Sequence, residues 1–145
     1  EAPEAEPAAV PAPQSGTGRI LAMDDEASLR TLIEAVLTQL GYEIRTARDG
    51  AEAIALYEEA KTAGQAYDAV LLDLTVSGGM GGVEAASKLR VLDPSAKLIV
   101  SSGYSDAPVL ANFARYGFDA VVPKPWTATA LSEVLRKVLG GRPAA

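Results

Sequence analysis

Three kinds of side chain in this sequence could act together on a phosphoryl group: acids, a lysine and a hydroxyl. Asp24 and Asp25 form an adjacent acidic pair within ILAMDDE, and Asp73 stands inside the apolar run VLLDL. Ser102 lies in IVSSG and Lys124 in VVPKP. Taken singly, each has an ordinary explanation. An acidic pair favours the positive end of a helix, an aspartate closing a strand is a common turn residue, a serine beside a glycine suits a loop, and most lysines are solvated. Gathered at one place they would do something else. Three carboxylates in one crevice repel each other, and burial adds to the cost, so a cation must hold them together. Mg²⁺ suits such a site, because it takes oxygen ligands from a few carboxylates, waters and phosphate oxygens. A lysine supplies a second positive charge, and a hydroxyl donates to a phosphoryl oxygen. A carboxylate so surrounded has the parts needed to accept a phosphoryl group. Ser101 is the weaker hydroxyl candidate, since Ser102 better fits the spacing to Lys124.

The surrounding elements bring these residues to one edge. Arg19–Met23 is an apolar run of strand length that ends at the acidic pair. Leu29, Leu32, Ile33, Val36, Leu37 and Leu40 then recur at helical spacing before Gly41. Tyr42–Ala47 alternates as a strand, and Asp49 with Glu52 opens a second helix as a capping box. Ile54 and Tyr57 point inward from this helix, which ends near Gly64. Asp68–Leu74 is near-continuously apolar, as in a strand covered on both faces, and the loop VSGGMGG follows it. Val83, Ala86 and Leu89 mark a third helix and Lys97–Val100 a fourth strand. A fourth helix is expected from about Asp106 to Tyr116, a fifth strand over Asp119–Val122, and a fifth helix through Leu131, Val134, Leu135 and Val138. Strict strand–helix alternation predicts an α/β fold, a doubly wound five-stranded parallel sheet with five helices. In such a sheet, sites form beyond the carboxyl ends of the strands. Asp24, Asp25, Asp73, Ser102 and Lys124 all follow or close a strand there.

Composition narrows the chemistry. The 145 residues suit one domain, and 48% of them are hydrophobic, enough for a core. Neither cysteine nor histidine occurs, which excludes disulfides, thiolate metal sites, imidazole ligands and Ser-His-Asp triads. The formal net charge is −6, and no basic stripe is present, so nucleic-acid binding is not expected. No apolar run reaches the roughly 18 residues of a membrane span, so no membrane contact by this segment is expected. Residues 1–17 are rich in Ala, Pro and Glu, carry Glu1, Glu4 and Glu6 and no base, and read as a flexible linker. They lack the basic and apolar regions of a signal peptide. The absence of an initiator methionine fits a segment of a longer protein or a processed chain, with the domain at 18–140 and a tail at 141–145.

In four motifs the sequence resembles the response-regulator receiver domains, the family of the bacterial chemotaxis regulator. ILAMDDE carries the acidic pair, VLLDLTVSGGMGG the acceptor, IVSSGYSD the hydroxyl and Lys124-Pro125 the lysine motif, in the family's order. The resemblance covers about Gly18 to Gly140. It implies a flavodoxin-like sheet of strand order 2-1-3-4-5 and a phosphorylation-dependent signalling domain rather than a turnover enzyme. On that resemblance Asp73 takes the phosphoryl group from a phosphohistidine on a histidine kinase or histidine phosphotransferase. Asp24, Asp25 and Asp73, with the backbone carbonyl of Thr75, hold Mg²⁺. Lys124 pairs with the phosphoryl oxygens, and Ser102 moves in to donate to them. Thr75 and Tyr104 flank the acceptor where the family tunes phosphate lifetime. Val121 departs from the family, which often has a rotating Tyr or Phe three residues before the lysine. That departure mildly favours phosphate relay over an output switch.

The combination DLTVSGGMGG, VSSGYSD and KPW most resembles receivers of hybrid sensor histidine kinases. This implies tethered upstream domains and a cytoplasmic location, including the cytoplasmic part of a membrane-bound sensor. A stand-alone response regulator is the alternative. A haloacid-dehalogenase-type phosphatase shares the residue types, but its nucleophile comes first in the chain and has a second Asp two residues on, where Thr75 stands here. A flavodoxin-like flavin binder would need a hydroxyl-rich phosphate loop where Asp24-Asp25-Glu26 stands. Trp126 is expected to pack at the start of the last helix, with a partner contact as its other role.

Overall fold

The computed structural model describes residues 18–74, 76, 79–102, 111–124 and 126–139, with Ser102 and Pro123 described by backbone alone. The linker at 1–17, the tail at 141–145, Thr75 and Tyr104 lie outside the described residues. The chain runs β1 (Arg19–Met23), α1 (Ala27–Leu40), β2 (Glu43–Ala47), α2 (Gly50–Thr62), β3 (Ala69–Asp73), α3 (Gly82–Leu92) and β4 (Leu98–Ser102). A 3-10 turn (Phe113–Tyr116), β5 (Ala120–Pro123) and α4 (Ala128–Val138) complete it. All neighbouring strands pair in parallel, in the order β2-β1-β3-β4-β5, as the family resemblance implies.

Side-chain alternation along the strands divides the core in two. Ile20, Ala22, Ala69, Leu71, Ile99, Ala120 and Val122 face α1 and α4, where they meet Ile33, Leu37, Leu131 and Leu135. Leu21, Met23, Val70, Leu72, Leu98 and Val100 face α2 and α3, where they meet Ala53, Tyr57, Ala86 and Leu89. Every residue of central β3 is buried, which is why its sequence is apolar without alternation. Edge strand β2 alternates in burial and carries Glu43 and Arg45, charges that discourage pairing with another chain.

Local signals set the ends of the elements. Asp49 accepts from Glu52 N at 2.9 Å, while the Glu52 carboxylate reaches back to Arg48 N at 2.8 Å. The capping box expected at α2 is thus present, displaced by one residue on its return bond. Gly41 closes α1 in the left-handed region at φ 105°, where a side chain would be strained. The apolar stripe of α1 is narrower than its spacing predicts: Leu32 is 42% exposed. Four helices are seen among the described residues, against five expected. The described part of the expected fourth helix closes as the 3-10 turn, with Arg115 N bonded to Asn112 O and Gly117 N to Ala114 O. Such i to i+3 bonding tightens a final turn where the chain must reverse; residues 106–110 lie outside the described residues.

Candidate functional site

The carboxyl ends of β1 and β3 and the segment after β5 meet at one rim. Asp24 leaves β1, Asp73 closes β3, and Lys124 follows β5. Asp24 and Asp73 are each only 2% exposed, which is rare for carboxylates unless they are paired. Lys124 supplies that pairing: its Nζ lies 2.9 Å from Asp24 Oδ2 and 3.0 Å from Asp73 Oδ1. Carboxylate oxygens of Asp24, Asp25 and Asp73 all come within 4.8 Å of one another. The expected acidic triad and the lysine are therefore brought together.

The two oxygens of Asp24 do different things. Oδ1 accepts from Glu26 N at 2.9 Å and shapes the turn into α1, while Oδ2 meets the ammonium. Arg30 Nη1 donates to the Asp24 carbonyl at 2.8 Å, pinning the acidic turn from the first helix. Asp73 Oδ2 is buried and has no hydrogen-bond partner among the described residues. A buried acceptor without a partner is costly, so this atom is poised for a ligand.

Burial pushes the Asp73 carboxyl up to about 6; the Lys124 hydrogen bond opposes the rise and the Asp24 and Asp25 charges add to it. Burial by itself would lower Lys124, but its hydrogen bonds and charge attraction to Asp24 and Asp73 outweigh that and raise it. The lysine is thus firmly cationic, while Asp73 carries a destabilised negative charge. The donor set is all oxygen, which fits a hard divalent cation such as Mg²⁺ and not a thiolate- or imidazole-seeking metal.

Ser102 closes β4 with its Cα opposite Pro123, and Ser101 lies opposite Asp73. The Ser102 backbone is therefore at the same rim, while its hydroxyl lies outside the description. Ser101 is wholly buried and accepts from Trp126 Nε1 at 2.7 Å, so its hydroxyl is engaged by the indole. Val121 is half-buried against the α2/α3 core, where it acts as a strand residue. Trp126 is 8% exposed, so it packs, as expected.

Several contributors were not singled out by their residue types. A Cβ on Gly82 would come 2.7 Å from the Asp73 carbonyl oxygen, and one on Gly81 would come 2.8 Å from that of Leu74. The two glycines let α3 start directly beneath the acceptor's backbone. The glycine-rich VSGGMGG was the available signal. The roles of Arg30, Ser101 and the Trp126 N–H have no such local sign.

Comparison with known proteins gives the family and the fold. Residues 20–136 match the family model described as response regulator receiver domain. The chain is 31% identical over 121 residues to the chemotaxis protein CheY of Thermotoga maritima, covering 83% of this chain and 96% of that protein. It superimposes on a crystal structure of the response regulator protein TrrA from Thermotoga maritima in complex with Mg²⁺-BeF. The TM-score is 0.68 at 32% identity, covering 83% of this chain and 97% of that one. It is also 27% identical over 121 residues to hybrid signal transduction histidine kinase I of Dictyostelium discoideum, covering 81% of this chain but 7% of that protein.

Proposed function

The chain belongs to the response regulator receiver domain family, and from that premise we propose that it is a phosphorylation switch whose acceptor is Asp73. The observation that carries this reading is the state of that side chain. One oxygen is held by Lys124 and the other is buried with no hydrogen-bond partner among the described residues, with two further carboxylates within 4.8 Å.

In the proposed reaction an Asp73 carboxylate oxygen attacks the phosphorus of a phosphohistidine on a partner kinase or phosphotransferase. An O–P bond forms as the N–P bond breaks, and the departing imidazole nitrogen takes a proton from water. Asp24, Asp25 and Asp73, with the Thr75 carbonyl, would hold Mg²⁺. When bound, the ion neutralises charge on the transferring oxygens. Lys124 gives up its contact with Asp73 Oδ1 and follows the charge onto the phosphoryl group, keeping Asp24 as its anchor. Ser102 donates to a phosphoryl oxygen, and Thr75 and Tyr104 control the approach of water and so the phosphate's lifetime. Val121 leaves β5 without a rotating aromatic ring, which favours relay of the phosphate. The domain catalyses only its own phosphorylation and dephosphorylation.

We place this receiver in the cytoplasm, attached to a hybrid histidine kinase. The support is the DLTVSGGMGG, VSSGYSD and KPW pattern, the Ala/Pro/Glu segment before Gly18 and the likeness to a hybrid kinase. Its near-complete coverage of a chemotaxis CheY protein favours a stand-alone regulator as the second reading. Among the described residues no helix is long and apolar enough to cross a membrane. The test is transfer from a ³²P-labelled histidine phosphotransferase domain. One equivalent of acid-stable, base-labile label appearing on this chain supports the reading. Continuous release of phosphate from an added phosphomonoester, without labelling, would point to a phosphatase instead.

A further inference from the structure

Trp126 is the single tryptophan of the chain and lies within the α1/α4 core. Packing alone would be served by any large apolar ring, yet this one aims its N–H at a buried hydroxyl. Nε1 donates to Ser101 Oγ at 2.7 Å. Ser101 is wholly buried and sits opposite Asp73 in the β3–β4 register. Its carbonyl accepts from Leu74 N at 3.0 Å, immediately after the acceptor. The indole also meets the site lysine, with Lys124 Nζ 5.8 Å from the ring centroid, within the range of cation–π attraction. The same ammonium reaches Asp24 and Asp73. The contacts close a circuit from the end of the acceptor strand through Ser101, Trp126 and Lys124 back to Asp73.

A lysine head on a flexible four-carbon stem has many positions open to it. Two carboxylates attract it but do not fix its height in the pocket. A ring held in place by a buried hydrogen bond does.

We propose that Trp126 is a positioning residue for Lys124, anchored by Ser101, so that the Ser101–Trp126 hydrogen bond sets where the ammonium sits over the acceptor. The inference rests on Asp73 being the phosphoacceptor and adds how the lysine is aimed. It ties the end of β4 to the lysine through two side chains.

The test compares wild type with Trp126→Phe, Ser101→Ala, Lys124→Ala and the double variant Trp126→Phe/Lys124→Ala. Initial rates of labelling by acetyl phosphate at saturating Mg²⁺ are followed by intact mass. Loss of one buried hydrogen bond predicts labelling about three- to tenfold slower in Trp126→Phe and in Ser101→Ala. In the Lys124→Ala background, Trp126→Phe should slow the residual labelling no further, because its effect passes through the lysine. A merely structural role would slow both backgrounds by the same factor and overturn the proposal. The second readout needs no phosphorylation. The single indole ¹H–¹⁵N resonance of the Mg²⁺-free protein should shift in both Ser101→Ala and Lys124→Ala. A resonance indifferent to Lys124→Ala would also overturn the proposal. Ser101→Ala keeps the ring and so preserves the test if Trp126→Phe fails to fold. A wild type that takes no label while its indole responds to Lys124→Ala would refute the phosphoacceptor reading, and the positioning role with it. An indole that is indifferent in a protein that does label would refute only the positioning.

Discussion

Replacing Asp73 by asparagine should change how the stability of the metal-free domain depends on pH. The wild-type carboxyl is raised from its ordinary 3.8 to about 6, chiefly by burial, and the residue is only 2% exposed. Between those two values the folded chain keeps a proton that the unfolded chain has lost. Wild-type stability therefore falls as pH rises through that window, and this contribution is flat above about pH 6. At about 1.4 kcal/mol per pKa unit, the accumulated loss is on the order of 3 kcal/mol. Asparagine has nothing to titrate there, so subtracting wild type from variant isolates the effect. Asp93 is held low by its hydrogen bonds to Tyr57 and Ser95. It contributes with the opposite sign, giving stability lost as pH falls, but it is present in both proteins and cancels. Urea unfolding in EDTA, from about pH 4 to pH 7, measures the difference. The Asp73→Asn variant should gain on wild type by on the order of 3 kcal/mol across that range, with unchanged m-values. A gap that stays constant, or narrows as pH rises, would refute the account of Asp73 as a buried and electrostatically frustrated carboxylate.

Further perturbations test other parts of the site. Lys124→Ala removes the counter-charge of two buried carboxylates and should cost about 3 kcal/mol in the metal-free state near neutral pH. By urea unfolding the cost should be smaller near pH 4.5, where Asp73 is protonated, and calorimetry should show that Mg²⁺ still binds. Gly82→Ala places a Cβ where the Asp73 carbonyl oxygen lies only 2.7 Å away, and backbone cannot swing aside. It should destabilise by about 1–3 kcal/mol and weaken Mg²⁺ binding, both measurable by the same two methods. Arg90 donates to the carbonyls of Pro94, Ala96 and Gly117 and to Asp119, tying the start of β4 to the start of β5. Arg90→Ala should therefore cost about 2–4 kcal/mol of stability while leaving labelling of the folded fraction intact.

The fold was legible because its signals are local. The apolar run ending at Asp73 announced a central strand, Asp49 and Glu52 announced a helix start, and alternation of elements announced a parallel sheet. The site was legible because a charged residue after each of several strands must converge at one rim. What stayed hidden depends on contacts between distant residues. Nothing near Ser101 marks it as the partner of Trp126, 25 positions away. Leu32 obeys the helical period yet is 42% exposed, because the period alone does not say how far round the helix the core reaches. The clearance under Asp73 that requires Gly82 is set by the α3 packing, and the glycine-rich VSGGMGG marks only the neighbourhood in which it falls. The segment expected as a fourth helix ends in a 3-10 turn because Gly117, at φ 91°, reverses the chain.

The most direct test of the central claim is the intact mass of the protein after incubation with acetyl phosphate and Mg²⁺, with and without EDTA, in wild type and in Asp73→Asn. The account predicts one Mg²⁺-dependent addition of about 80 Da, the size of a single phosphoryl group, that is absent in the variant. An addition of the same size and Mg²⁺ dependence in Asp73→Asn would contradict it.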